Sequence, residues 1–222
     1  MKLNQYDIQT HFNGEVCAFP YQSLNSESEF FFPDTSIFAI RLSNRLRPQE
    51  RTLEMEFWDE ADISRFSAEL LKHPTNTLDL DDGFLYDIVY RGGNVSTTQV
   101  WNHYYTVSYP VYAIQKGTLV TTRLTKPSSV LRILGTWETS CRITILPKHD
   151  LNEFTINDMT VRNLKQDVPF VIDGIRKLVE AEGVNRFMDT NIIKFPSFQP
   201  GTHVVRLSEP MDVVIDYYPI YM

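Results

Sequence analysis

From Met211 onward apolar and polar positions alternate strictly: Met211, Val213, Ile215 and Tyr217 share one face, Asp212, Val214 and Asp216 the other. Successive strand side chains point to opposite faces, so this pattern predicts a half-buried strand. The run 204–207 precedes it, joined through the turn-forming triplet Ser208-Glu209-Pro210, and the pair reads as a closing β-hairpin. The same alternation recurs in residues 51–57, with Leu53, Met55 and Phe57 inward and Thr52, Glu54 and Glu56 outward. It recurs in residues 101–111 through Tyr105, Val107, Tyr109 and Val111, and in residues 142–146 through Ile143 and Ile145, with Cys141 in phase.

Turn residues fix the register of two hairpins. With Asp81-Asp82-Gly83 as a three-residue loop and Gly83 left-handed, Leu80 opposes Phe84 and Leu78 opposes Tyr86. Asn157-Asp158 as a type I′ turn sets Ile156 against Met159, Thr155 against Thr160 and Phe154 against Val161. Asn13-Gly14 signals a turn between two short extended runs, and residues 23–29 read as a polar loop before Phe30, Phe31 and Phe32. Residues 168–172 form a further strand, ended by Asp173-Gly174. Ile175, Leu178 and Val179 fit a short helix by spacing, although so short a run also fits a strand.

One helix is well marked, at about residues 59–73. Asp59 is a good N-cap, Glu60 and Asp62 suit the positive end of the dipole, and Pro74 stops the helix. Ile63, Phe66, Leu70 and Leu71 form its predicted buried stripe. The polar stretch between Pro110 and Pro127 predicts a boundary, giving domains 1–118 and 119–222. The fold class is mainly β: two sandwiches, the first with a single helix.

Composition narrows the function. The 14 Phe, 11 Tyr and 3 Trp favour sheet and leave aromatics for subunit contacts. A net charge of −7 argues against sequence-specific binding along nucleic acid. The densest basic stretch, Arg41, Arg45, Arg47 and Arg51, reads as a solvated strand edge. No apolar run spans a membrane, and the N-terminus lacks the apolar core of a secretory signal. Cys17 and Cys141 lie far apart, and the chain reads as a product of a reducing cytoplasm. Three consecutive Phe at 30–32 cannot share one strand face; core packing explains one side, and a subunit contact would use the other.

Catalytic chemistry is not encoded in any recognisable pattern. The five histidines are scattered without metal-ligand spacing, and neither a nucleophile elbow nor a phosphate-binding glycine loop is present. Asp79, Asp81 and Asp82 do not fit a calcium loop, because Gly83 comes one position early and Tyr90 stands where a bidentate Glu is needed. Asp212 and Asp216 are four apart on a strand, about 13–14 Å, too far for a glycosidase pair. No catalytic, cofactor or metal residue is therefore assigned.

Several segments in order resemble the distal tail protein family of phages with long, non-contractile tails, or a prophage-encoded member. They are RTLEMEF, the single helix and LDLDDGFLYDIVY, then GTWETSCRITI, FTINDMTV, PFVIDG, GVNRF, and FPSFQPGTHVVRL leading to VVIDYYPIYM. The resemblance implies an N-terminal ring-forming sandwich and a galectin-like C-terminal one, assembled as a homo-hexamer or its multiple. It implies partners above and below, the tail tube protein and the tail-tip hub or fibre protein, with receptor-binding proteins anchored to the ring. It places the protein at the virion tail tip after synthesis in the host cytoplasm, and makes 175–187 strand and turn. Phe30, Phe31 and Phe32 are the candidate ring contacts. A different function would be sugar binding by the galectin-like half. Trp137 is available for stacking, but no H-x-N-x-R motif accompanies it.

Overall fold

The computed structural model describes residues 1–20, 26–31, 40–46, 48–93 and 95–221, with the backbone alone for 26–31 and 40–46. Two compact units divide it, residues 1–115 and 116–221. The chain runs through β1 (Lys2–Leu3), β2 (Tyr6–Asp7), α1 (Ile8–Phe12), β3 (Gly14–Ala18), β4 (Ser26–Phe31), β5 (Ile40–Leu46), β6 (Gln49–Phe57) and α2 (Glu60–Lys72). Next come β7 (Asn76–Asp79), β8 (Leu85–Tyr90), β9 (Ser96–Trp101) and β10 (Tyr104–Lys116). The second half holds β11 (Val120–Leu124), β12 (Ser128–Ile133), β13 (Thr139–Leu146), β14 (Leu151–Ile156), β15 (Met159–Leu164) and β16 (Phe170–Asp173). It ends with β17 (Leu178–Ala181), β18 (Val184–Asn185), β19 (Ser197–Phe198), β20 (Gly201–Arg206), β21 (Asp212–Tyr217) and β22 (Ile220–Tyr221).

The mainly-β fold class holds. In the N-terminal unit one curled sheet has the order β2-β1-β7-β8-β10-β6-β3, with β9 beside β10. The alternating residues of β6 and β10 are its floor: Leu53, Met55, Phe57, Val107, Tyr109 and Val111 are all buried. Helix α2 covers them, capped by the Asp59 side chain accepting from the Ala61 amide. Its buried stripe is Asp62, Phe66 and Leu70, whereas Leu71 is exposed, contrary to the expected stripe. At about 100° per residue Leu70 stands about 40° from Phe66 around the helix, but Leu71 about 140°.

The helix count also needs correction. Residues 8–12 form a second helix, α1, with Asp7 as N-cap and left-handed Asn13 (φ 47°) as C-cap. The Asn13-Gly14 signal therefore ends a helix instead of joining two strands, and Asn13 tolerates the left-handed conformation either way. A Cβ on Gly14 would lie 2.7 Å from the Phe57 ring, which is why the turn residue there carries no side chain.

The Asp81-Asp82-Gly83 hairpin has the expected register, Leu78 opposite Tyr86, with Gly83 at φ +87°. Its acids serve the turn: Asp79 accepts from the Asp81 amide, and Asp82 from the Phe84 amide and the Tyr86 hydroxyl. Arg51 is not solvated as its basic stretch suggested. It is 4% exposed, lies over the Phe19 and Tyr86 rings at 5.0 and 5.2 Å, and donates to Gln49 Oε1. A planar guanidinium stacks on aromatic faces and so tolerates burial that an ammonium would resist.

In the C-terminal unit the larger sheet has the order β11-β21-β13-β16-β17-β18, with β19 on the start of β13. The opposite layer is built from the pairs β12-β20 and β14-β15, joined by a bridge between Ile156 and Leu207. Both layers bury their alternate residues in one core, as a sandwich requires. The 154–161 hairpin has the predicted pairs, Ile156 with Met159, Thr155 with Thr160 and Phe154 with Val161. Of its two loop residues only Asn157 takes a positive φ (54°), so the turn is not type I′. Asn157 is tied down instead by β20, donating to Arg206 O and accepting from the Arg206 amide. Residues 175–187 are strand and turn, with β17 laid along β16.

The closing segments do not form a hairpin. Strand β20 pairs with β12 in one layer, while β21 inserts between β11 and β13 in the other. The triplet 208–210 is a corner between sheets. Leu207 N donates to Pro127 O and Ser208 N to Thr155 O, so these amides are committed sideways and cannot pair back across a turn. The alternation itself holds: Met211, Val213, Ile215 and Tyr217 are buried. Tyr217 reaches across the core, accepting from Leu134 N and donating to Arg132 O at the end of β12.

Candidate interaction surfaces

The acidity of the chain is concentrated in one unit. Residues 1–115 hold 16 Asp and Glu against 8 Lys and Arg, whereas residues 116–222 hold 12 against 13. Part of that charge is crowded on the outer face of the N-terminal sheet. Glu15 on β3 pairs directly with Glu56 on β6, and Ala18 brings the same strand beside Glu54. Like charges directly opposed destabilise a sheet, and two neutral groups, the Cys17 thiol and the Tyr104 hydroxyl, lie close enough to Glu56 to feel its charge. Beside them Trp58 is exposed and packs its ring 4.9 Å from that of Tyr104.

This environment controls Cys17. The thiol is pushed up to about 12, by desolvation first and then by the Glu56 hydrogen bond and the charges of Glu56, Glu15 and Glu54. Because the residue is exposed, the three carboxylates are the physically stronger cause. An exposed thiol usually ionises near 8.5 and reacts as the thiolate. Cys17 is expected to react with a disulfide reagent at pH 8 at least ~100-fold more slowly than a free peptide thiol. Replacing Glu15 and Glu56 with Gln should restore most of that rate, and a wild-type rate equal to the peptide's would refute the assignment.

Strands β4 and β5 pair with each other and join no other sheet among the described residues. Residues expected to be loop, 26–29, are thus part of this ribbon, held by cross-strand pairs such as Glu27 with Arg45. Phe30 and Phe31 lie at its bulged end, opposite Arg41 and Ile40; of the two only the backbone is described, and Phe32 lies outside the described residues. Among the described residues neither edge of the ribbon is paired, and an unpaired edge in a monomer invites pairing with another chain.

The C-terminal unit carries a cleft of about 370 Å³, open on one side between the 156–159 turn and the 191–198 segment. Its apolar lining includes Ile156, Met159, Ile192 and Phe198, and Ile193 on its rim is fully exposed. One wall is held by Glu138, which accepts from Lys194, Ser197 and Gln199. The Ser197 hydrogen bond and then that of Lys194 lower the Glu138 pKa, so this support is present above the ordinary carboxylate range and is lost as pH falls below that range through the lowered value. Nothing in the sequence pattern announced the cleft, because its walls come from segments 30 or more residues apart with no shared periodicity.

Asp212 and Asp216, rejected as a catalytic pair, are both engaged across to β11. Asp212 accepts from Arg123 Nε at 2.7 Å, and Asp216 from the Thr121 hydroxyl at 2.6 Å. Among the described residues no group of three His, Cys, Asp or Glu side chains could hold a metal ion, and no helix is long and apolar enough to cross a membrane.

No family model matches the chain, and no curated protein matches it in sequence. Solved structures do match. SPP1 Dit (gp 19.1), described as a paradigm of the hub adsorption apparatus in phages infecting Gram-positive bacteria, has a TM-score of 0.73 at 13% identity. That match covers 99% of this chain and 98% of the other. The phage P2 baseplate in its activated conformation with Ca gives a TM-score of 0.51 at 10% identity, over 96% of this chain and 92% of that one. The same baseplate with Sr gives 0.52 at 11% identity, over 95% and 92%. The chain therefore has, through both units, the fold of a phage distal tail protein.

Proposed function

We propose that the protein is a structural component of a phage tail tip, not an enzyme. Six copies, or a multiple of six, close a ring that connects the tail tube to the tail-tip hub or fibre. The observation that carries this reading is the match to SPP1 Dit over 99% of the chain, through both units. In this reading residues 1–118 build the ring around a central channel. Residues 119–222, a galectin-like sandwich, project outward and anchor receptor-binding proteins. The excess of acid in the N-terminal unit supports a channel that DNA passes without sticking, since like charge repels phosphate. The isolated β4-β5 ribbon supports a subunit contact, because a lone two-stranded hairpin is marginal in water unless something covers it. Phe30 and Phe31 on that ribbon, with Phe32 next to them in sequence, are the contact candidates.

Light scattering and negative-stain electron microscopy of the purified protein test the ring. A hexamer or its multiple, seen as rings with a central hole, is the expected result; a strict monomer at high concentration overturns it. Phe31→Asp is expected to fold but to form at least ~10-fold fewer rings, since an unpaired charge buried in a contact costs several kcal/mol. Undiminished rings from that variant would remove the ribbon from the interface.

A further inference from the structure

The cleft of the C-terminal unit has a composition that selects among ligands. Its floor is aliphatic, and Ile193 stands fully exposed on the rim where an ordinary surface would place a polar residue. Most of its polar groups are already committed. Asn191 accepts from Thr160 N and donates to Asp158 O, Asn157 Oδ1 accepts from Arg206 N, and Ser197 and Lys194 are held by Glu138. The Asp158 carboxylate, exposed in the lining, is paired by no cation among the described residues. A sugar needs several uncommitted donors and acceptors and an aromatic platform. Here the one aromatic in the lining, Phe198, is half-buried with its ring against His203. A protein segment needs less: an apolar pocket for an anchor side chain and a complementary charge at the rim.

We propose that this cleft docks a segment of another tail protein, placing a Leu or Phe side chain on Ile156, Met159 and Ile193 and a Lys or Arg against Asp158. The class of partner rests on the tail-tip reading; the chemistry of the segment rests on the cleft alone. The volume suits a single large apolar side chain with part of its backbone, within the range of ordinary ligand pockets.

The probes are a blocked peptide of sequence GKLFKG, its charge-reversed counterpart GELFEG, and an N-acetylglucosamine tetramer, each titrated into the full-length protein. Methyl signals of Ile156, Met159 and Ile193 report the location, and the titrations give the affinities. GKLFKG should shift these methyls and bind at least ~10-fold more tightly than GELFEG, the discrimination expected of one charge contact at a desolvated rim. Asp158→Lys should reverse that preference, and Ile193→Asp, at a position with no packing to lose, should abolish binding of both peptides. The proposal is overturned if the peptides bind equally, if the methyls stay still, or if the sugar shifts them instead. Ring formation is read separately by microscopy. Rings with an inert cleft sink this inference alone, and peptide binding without rings sinks the assembly reading alone.

Discussion

Replacing Gly174 with alanine is expected to cost the C-terminal unit several kcal/mol of stability for a single added methyl group, on the order of the largest overpacking effects. A Cβ at this position would lie 2.5 Å from Pro196 O and 2.7 Å from Cys141 O, both backbone atoms that cannot swing aside. The reason is local topology. Gly174 N donates to Cys141 O and Cys141 N donates to Pro196 O, so three segments meet with no side chain between them. Separating them breaks these bonds and disturbs β13, the strand on which β16, β19 and β21 all pair. The cost should reach or exceed the top of the ~1–3 kcal/mol typical of overpacking. For a unit of this size that lowers its unfolding temperature by ~12 °C or more. Gly183→Ala is the contrast: its φ is +74° but nothing lies within 4 Å, so only backbone strain of ~1–2 kcal/mol opposes it. Calorimetry of the two variants decides the matter, and a Gly174→Ala protein as stable as the parent would mean that the three segments are not so closely joined.

Position 174 also marks how far the sequence could be read. That Asp173-Gly174 ends a strand was legible, because Asp173 turns the chain by accepting from the Ile175 and Arg176 amides. The close approach of Pro196 was not, since it joins residues more than twenty apart with no signature in either segment. The same division runs through the fold. Period-two alternation identified the inward faces of β6, β10, β13 and β21, and turn chemistry set two hairpin registers, because both are local properties. Where a strand goes after its turn is not local. The triplet 208–210 can reverse the chain or carry it to the opposite sheet, and partners at Pro127 and Thr155 decide between them. Likewise α1, only five residues long, has too few periodic positions to stand out from extended structure. The cleft was invisible for the same reason as the corner, being made wholly of long-range proximity.

Phe66→Ala should have the largest effect in the other unit. Phe66 is fully buried, and its ring lies 5.3 Å from Phe12, 5.7 Å from Phe57 and 5.3 Å from Tyr109. It joins α1, α2, β6 and β10, with the Ser67–Tyr109 hydrogen bond alongside. Truncating a buried Phe costs ~3–5 kcal/mol through lost transfer energy and the cavity left behind. Aromatic partners on three sides resist collapse into that cavity, which places the cost toward the upper end. Each unit has its own core, so differential calorimetry should show the N-terminal transition falling by ~12 °C or more while the C-terminal one stays in place. Gly174→Ala should do the reverse. If either variant shifts both transitions together, the two cores unfold as one cooperative body and the proposed division into ring-forming and projecting units loses its thermodynamic basis. Separate transitions would let the roles be separated as well: Phe66→Ala, warmed above its lowered transition, should lose its rings while keeping an intact cleft and its peptide binding.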